Sequence, residues 1–215
     1  MQANKFKHFY LNKYLVTPFT SERYMLCYDY VHKAIWFRVP KVASRTINEA
    51  LQAGSEKKDY IYASKMGYSP AICVGYFKFA FVRHPEERLL SAWRDKVLRR
   101  NHFHFDEDTH EKYKEIEHFV DWLATQDIED CDVHIKSQHA QIDLNHLDFL
   151  GRMENFEEDF NYVVQKLELS VKKAGHLNKT PKAKVELEKA VQRKIYQIYK
   201  KDFDLFYPDY RKEVG

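Results

Sequence analysis

Apolar positions in this chain form short runs that alternate with stretches of helical spacing. Residues 35–39 and 77–82 are rich in aromatic and β-branched side chains, which predicts two strands. Each run is followed by apolar residues at helical spacing, starting at Ile47 in one case and at Leu89 in the other, which predicts a helix after each strand. Strands that alternate with helices are typical of an α/β fold built on a parallel sheet.

Weaker patterns place further elements around these two strand–helix pairs. Residues 23–30 predict a strand that forms a hairpin with residues 35–39. Residues 147–153 predict another strand, followed by a helix with Asn155 as its N-cap. No linker rich in Pro, Gly or Ser divides the chain. We therefore expect one domain over residues 1–215, with a P-loop-like, three-layer arrangement of a central parallel sheet flanked by helices.

Composition narrows the class of protein. The 215 residues carry a formal net charge of only +3 and 15% aromatic residues, which favours a globular domain and gives no reason to expect nucleic acid as a partner. No apolar run is long enough for a signal segment or a membrane span. The cysteines have no CxxC spacing, so we expect a reducing, cytoplasmic location; they are Cys27, Cys73 and Cys131. Residues 101–117 hold histidines among acidic residues without a tight ligand pair, which predicts a solvated loop and no metal site.

The turn between the first strand and its helix carries the first candidate chemistry. Lys41, Ser44, Arg45 and Thr46 follow Pro40 directly, where the chain passes from strand to helix. Thr46, with Glu49 three residues on, is typical of a capping box. The backbone N–H groups and the helix dipole make such a helix start favourable for an anion.

Two further basic segments lie at predicted helix starts. Arg83 stands between the second strand and its helix, so it would lie near the Lys41 turn if the two strands are adjacent and parallel. The alternative role for Arg83 is a surface salt bridge to Glu86 or Glu87. Thr180 and Pro181 predict another helix start, crowded by lysines that a bound anion would offset; these are Lys179, Lys182 and Lys184.

Three separated cation sites suggest a ligand with separated anionic groups, such as a nucleotide phosphorylated at both ends of its ribose. The Walker A pattern GxxxxGKS/T is absent, which disfavours an ordinary ATP or GTP enzyme. Four segments, RVPKVASRT, FAFVRHPEERLLSAW, DFLGRMENFEEDF and HLNKTPKAK, resemble in kind and order those of sulfotransferases that use 3′-phosphoadenosine 5′-phosphosulfate (PAPS). The resemblance is to the carbohydrate branch that contains heparan sulfate 2-O-sulfotransferase and the HNK-1-type enzymes.

This resemblance implies a role for each basic segment. Lys41 would stabilise the leaving phosphate oxygen, and the residues that would cradle the 5′-phosphosulfate are Lys41, Ala43, Ser44, Arg45 and Thr46. Arg83 and Ser91 would hold the 3′-phosphate, while Thr180 and Lys182, or Lys184 in another register, would close over the nucleotide. The reaction would transfer a sulfuryl group from PAPS to an acceptor hydroxyl, favouring a carbohydrate, and would release 3′,5′-ADP.

The general base is less directly implied. The heparan enzyme carries its basic histidine between the first two motifs, but residues 52–81 of this chain contain no histidine. The DVHIKSQ segment resembles a run in the HNK-1-type enzymes, so His134 is the first candidate and His139 the second. Two other functions stay open on the residues alone, a kinase-like phosphotransferase and a noncatalytic polyanion-binding module. The oligomeric state stays open as well.

Overall fold

The computed structural model describes residues 7–53, 60–170 and 186–210. The chain divides into two compact units, and each is described by itself. The sheet unit comprises residues 1–82 and 141–179, and the helical unit comprises residues 83–140 and 180–215.

All the described strands lie in the sheet unit; they are β1 (Tyr24–Asp29), β2 (Ala34–Phe37), β3 (Tyr60–Met66), β4 (Phe77–Val82) and β5 (Phe149–Arg152). They form one five-stranded sheet of order β3-β1-β2-β4-β5. The predicted hairpin is confirmed, because β1 and β2 pair antiparallel through Leu26 opposite Phe37. A parallel connection needs a dozen or more residues, whereas only a short turn separates these two strands.

The other half of the sheet is parallel, as predicted. β2 pairs with β4 through Phe37 opposite Ala80, and β4 pairs with β5 through Val82 opposite Arg152. The carboxyl ends of β2 and β4 therefore meet at the same edge of the sheet, which is the edge where ligands bind in open α/β sheets. The α/β class is confirmed, while the P-loop-like detail stays a prediction.

Aromatic side chains form much of the core of the sheet unit. Trp36 and Phe79, opposite each other in β2 and β4, stack with ring centroids 6.3 Å apart, and both are fully buried. The ring centroids of Phe81 and Phe156 lie 5.3 Å apart, so the helix that begins at Phe156 packs on the face of the sheet that carries Phe81. A Cβ atom at Gly151 would lie 2.3 Å from the Phe81 ring, which explains a glycine in the middle of β5. The described α-helices of this unit are α1 (Lys7–Leu11), α2 (Ser44–Gln52) and α6 (Phe156–Lys166).

The helical unit has its own apolar core. Its described helices are α3 (Pro85–Trp93), α4 (Glu107–Tyr113), α5 (Ile116–Leu123), α7 (Lys189–Ile198) and α8 (Lys200–Phe206). Phe119, Ile195 and Phe203 lie at the centre of the core and are essentially inaccessible to solvent. The prediction of a loop over residues 101–117 is wrong in part, because α4 begins there. Asp106 caps α4 by accepting a 2.9 Å hydrogen bond from the backbone N–H of Thr109.

Candidate active site

The turn after β2 is held in an uncommon backbone conformation. Lys41 has φ of +74° and Ala43 has φ of +53°, both in the left-handed region that non-glycine residues seldom adopt. Two buried side chains, Val39 and Val42, anchor the turn on either side of Lys41. The Ser44 hydroxyl donates a 3.1 Å hydrogen bond to the Val39 carbonyl, which ties the helix start back to the strand end. Strain of this kind persists where the surroundings impose it, and it clusters at functional sites.

Helix α2 begins at Ser44, so the predicted capping box at Thr46 is wrong. Ala43 is the N-cap residue and makes no side-chain capping bond, while the first helical hydrogen bond runs from Ile47 N to the Ala43 carbonyl at 3.3 Å. Thr46 therefore lies inside the first turn of the helix. The helix starts earlier because the Ser44 side chain is engaged with the strand end. The N–H groups of this first turn have no intrahelical acceptor, and such groups favour a bound anion.

Arg83 follows β4 directly and has a fixed backbone. Its N–H donates to Gln138 Oε1 at 2.9 Å, and its carbonyl accepts from Gln138 Nε2 at 2.8 Å. Its guanidinium pairs with Glu87 Oε2 at 2.9 Å, so the alternative role proposed from sequence is present in the structure. Ser91 lies further along α3 and is partly exposed.

His134 is oriented by a carboxylate, as a general base requires. Its Nδ1 lies 2.8 Å from Asp132 Oδ1, and its backbone N–H donates to the same oxygen at 2.9 Å. Burial lowers the pKa of His134, and the hydrogen bond to Asp132 only partly offsets this effect. The ring is therefore neutral at neutral pH. Among the described residues its Nε2 has no hydrogen-bond partner, so this atom can accept a proton.

A second histidine, His102, contacts the same carboxylate, and the sequence did not predict this contact. His102 Nε2 lies 3.1 Å from Asp132 Oδ2, so the one carboxylate joins two imidazoles. Burial raises the pKa of Asp132, but the hydrogen bonds from His134 and His102 outweigh burial and hold it well below its ordinary value. One ring nitrogen of each histidine and one carboxylate oxygen of Asp132 lie within 4.8 Å of one another. No local signal could have revealed this contact, since the partners are 30 residues apart.

His139, the second candidate base, has both ring nitrogens occupied. Nδ1 lies 2.7 Å from Asp202 Oδ1 and Nε2 lies 2.9 Å from Glu129 Oε1. Carboxylates only accept hydrogen bonds, so both nitrogens must carry protons. Burial alone would lower the pKa of His139, but Asp202 and Glu129 outweigh it and raise that pKa overall. A ring with two protons has no lone pair for a substrate, and this geometry favours His134 over His139 as the base.

The third basic segment lies outside the described residues. Thr180 and Lys182, as well as the alternative Lys184, belong to the stretch between residues 170 and 186. That these residues close over the nucleotide therefore stays a prediction.

Comparison with known proteins identifies the family. The model of the sulfotransferase family matches residues 24–208, so this chain belongs to that family. It is 29% identical to mouse carbohydrate sulfotransferase 11 over 176 residues, covering 64% of this chain and 49% of the relative. It is 27% identical to human carbohydrate sulfotransferase 14 over 168 residues, covering 67% of this chain and 45% of the relative. The chain thus spans about half the length of the curated relatives it matches. No solved structure matches significantly.

The expected cytoplasmic location is wrong. The relatives are carbohydrate sulfotransferases, and this group points to the lumen of the Golgi. The prediction relied on the lack of paired cysteines, and the cysteines are indeed unpaired. Burial raises the thiol pKa of Cys27 and Cys73 to about 11. Such shielded, protonated thiols are compatible with oxidising and reducing compartments alike. Within the three described stretches, no helix has the length and apolar character needed to cross a membrane.

Proposed function

We propose that this protein is a PAPS-dependent O-sulfotransferase whose acceptor is a carbohydrate hydroxyl. The observation that carries the proposal is the strained Lys41–Ala43 turn leading into an uncapped helix, within a chain whose residues 24–208 match the sulfotransferase family. The names of the matched relatives support a carbohydrate as the acceptor.

The turn fits the phosphosulfate end of the donor on chemical grounds. The first-turn N–H groups of α2 and the positive end of its dipole favour an anion, and Lys41 contributes a positive charge to the same turn. When bound, PAPS supplies an activated sulfuryl group on a phosphate leaving group. We assign Lys41 to neutralise the charge that develops on the leaving oxygen, with Ser44, Arg45 and Thr46 orienting the group.

Two assignments complete the mechanism. Arg83 and Ser91 hold the 3′-phosphate, as the family resemblance implies. His134 accepts the proton of the acceptor hydroxyl at Nε2, while Asp132 keeps the other ring nitrogen protonated and the ring in place. The proton taken up by His134 then passes to solvent.

Calorimetric titration tests the donor assignment without any acceptor. 3′,5′-ADP should bind at least about ten-fold more tightly than 5′-AMP, since the extra phosphate adds charge-assisted hydrogen bonds. Equal, weak binding of the two nucleotides would contradict the proposal.

Lys41→Ala tests the catalytic role of the turn. Transfer of sulfate from PAPS to desulfated glycosaminoglycan chains should fall by about 10²- to 10³-fold, as expected for the loss of one charge-stabilising group. Lys33→Ala is the matched control, because Lys33 also has positive φ, at +51°, but precedes β2 instead of following it. A Lys41→Ala variant with full activity would remove Lys41 from the mechanism.

A further inference from the structure

Gln138 makes an unusual pair of contacts with the backbone of Arg83. Its side-chain amide accepts from the Arg83 N–H and donates to the Arg83 carbonyl, at 2.9 Å and 2.8 Å. The strand ladder of β4 with β5 ends one residue earlier, at Val82. The Gln138 amide thus makes a pair of hydrogen bonds like those between neighbouring strands, and it fixes the peptide groups on both sides of the Arg83 Cα atom.

Gln138 is itself fixed by buried partners. Its side chain is inaccessible to solvent, and its backbone N–H donates to Asp202 Oδ2 at 2.7 Å. Asp202, in α8, is also fully buried, and its other oxygen accepts from the His139 N–H at 2.9 Å. A buried carboxylate with two backbone donors holds residues 138 and 139 in one conformation.

The preceding residues of the same segment are held by two more buried side chains. Arg88 donates to the carbonyls of Lys136 and Val133 at 2.8 Å and 3.0 Å. The Tyr199 hydroxyl donates to the Ile135 carbonyl at 2.6 Å. Burying a guanidinium costs more free energy than burying an apolar side chain of similar size. The hydrogen bonds that Arg88 makes here hold the backbone of this segment in place.

We propose that Gln138 is a positioning residue that sets the affinity of the protein for the 3′-phosphate group by fixing the direction of the Arg83 side chain. The inference rests on the role given to Arg83 in the proposed function. When the Arg83 backbone is fixed before the ligand arrives, the side chain starts in one direction and less freedom is lost on binding, and this gain is specific to the group that Arg83 contacts. Gln138 touches no ligand in this scheme and acts only through Arg83.

Gln138→Met tests the inference, because methionine keeps the side-chain length and removes both hydrogen bonds. Calorimetry should show about ten-fold weaker binding of 3′,5′-ADP with little change for 5′-AMP. Gln126→Met is the control, since among the described residues the Gln126 amide donates to the Trp122 carbonyl in α5 and to the adjacent Thr125 hydroxyl. It should leave both affinities unchanged.

A double-mutant cycle separates positioning from general loosening. Arg83→Ala should lose the preference for 3′,5′-ADP over 5′-AMP, and adding Gln138→Met should weaken 3′,5′-ADP binding no further. If Arg83→Ala keeps the full preference, the assignment of Arg83 in the proposed function fails. If Arg83→Ala loses the preference while Gln138→Met keeps it, only the positioning inference is overturned.

Gln138→Glu decides the matter if Gln138→Met does not fold. A protonated carboxyl can accept from the Arg83 N–H and donate to the Arg83 carbonyl, whereas an ionised one can only accept. The affinity of this variant for 3′,5′-ADP, relative to wild type at each pH, should therefore fall as pH rises. A constant ratio across pH would contradict the inference.

Discussion

At the scale of single residues, the Arg83–Glu87 pair sets a specific expectation for anion binding. Glu87 occupies the guanidinium at 2.9 Å, so a phosphate that binds Arg83 must displace or oppose this carboxylate. Exposed pairs of this kind contribute about 0.2–1 kcal/mol, and the Glu87 side chain is 50% exposed. Glu87→Gln should therefore bind 3′,5′-ADP about two- to five-fold more tightly in calorimetry.

Glu86→Gln is the matched control for that prediction. It makes the same charge change one residue away, but Glu86 accepts a hydrogen bond from Tyr210 and not from Arg83. An equal gain in both variants would show a general effect of charge and not release of Arg83.

A second prediction at this scale concerns the base. Transfer should increase with pH, and the midpoint of this increase should lie below pH 6.5, because His134 acts when neutral and burial lowers its pKa from that ordinary value. Asp132→Asn should reduce the rate by about 10²-fold, since the ring loses its orienting carboxylate. The acidic limb of the residual activity should move to lower pH, because Asp132 raises the pKa of His134.

Asp130→Asn is the control, since Asp130 is exposed and lies 3.8 Å from Lys136. It should keep the wild-type rate and profile. An Asp132→Asn variant with an unmoved acidic limb would exclude His134 as the titrating base.

At the scale of elements, the strained start of α2 predicts a gain in stability from a glycine. Ala43→Gly removes the Cβ atom that disfavours φ of +53°, so the free energy of unfolding should rise by about 1 kcal/mol. Ala50→Gly, inside the same helix, should lower it by about 1 kcal/mol. Urea unfolding of both variants measures the contrast, and destabilisation by Ala43→Gly would show that the turn carries no such strain.

Elements were predictable where a pattern was local. The strands over residues 35–39 and 77–82 appear as β2 and β4, because their apolar runs are buried on both faces. The start of α2 was misplaced because the Ser44 side chain bonds the strand end instead of leaving Thr46 to cap the helix. Helix α4 was missed because its surface residues lack an apolar stripe and its N-terminus depends on Asp106.

At the scale of the whole molecule, His139 predicts a pH dependence of stability. Its pKa is raised in the folded state by Asp202 and Glu129, despite burial and the opposing Lys201. A raised pKa contributes stability that is complete below the unfolded value and is lost as pH rises through the folded value. The free energy of unfolding should thus decline as pH rises from the ordinary histidine pKa of 6.5 through the raised pKa of the folded state, and His139→Gln should flatten this decline.

Denaturant unfolding at several pH values checks this expectation. His118→Gln is the control, because His118 is 42% exposed and its contact to Glu115 is 3.5 Å long. Parallel pH curves for wild type and His139→Gln would contradict the stabilising role of the charged ring.

The sequence by itself determined the α/β class, the hairpin, the cation-bearing turn at Lys41 and the resemblance to sulfotransferases, because each is encoded in residues close together along the chain. Only the tertiary structure decided how those residues are held. Gln138 meets Arg83 across 55 positions, His139 meets Asp202 across 63, and His102 meets Asp132 across 30. Such contacts form between polar side chains whose partners are chosen by burial and folding, and local periodicity carries no record of them. The residues around Lys41 predicted an anion site in this turn. Its left-handed backbone, held between the buried side chains of Val39 and Val42, is a property of the folded structure that the sequence did not predict.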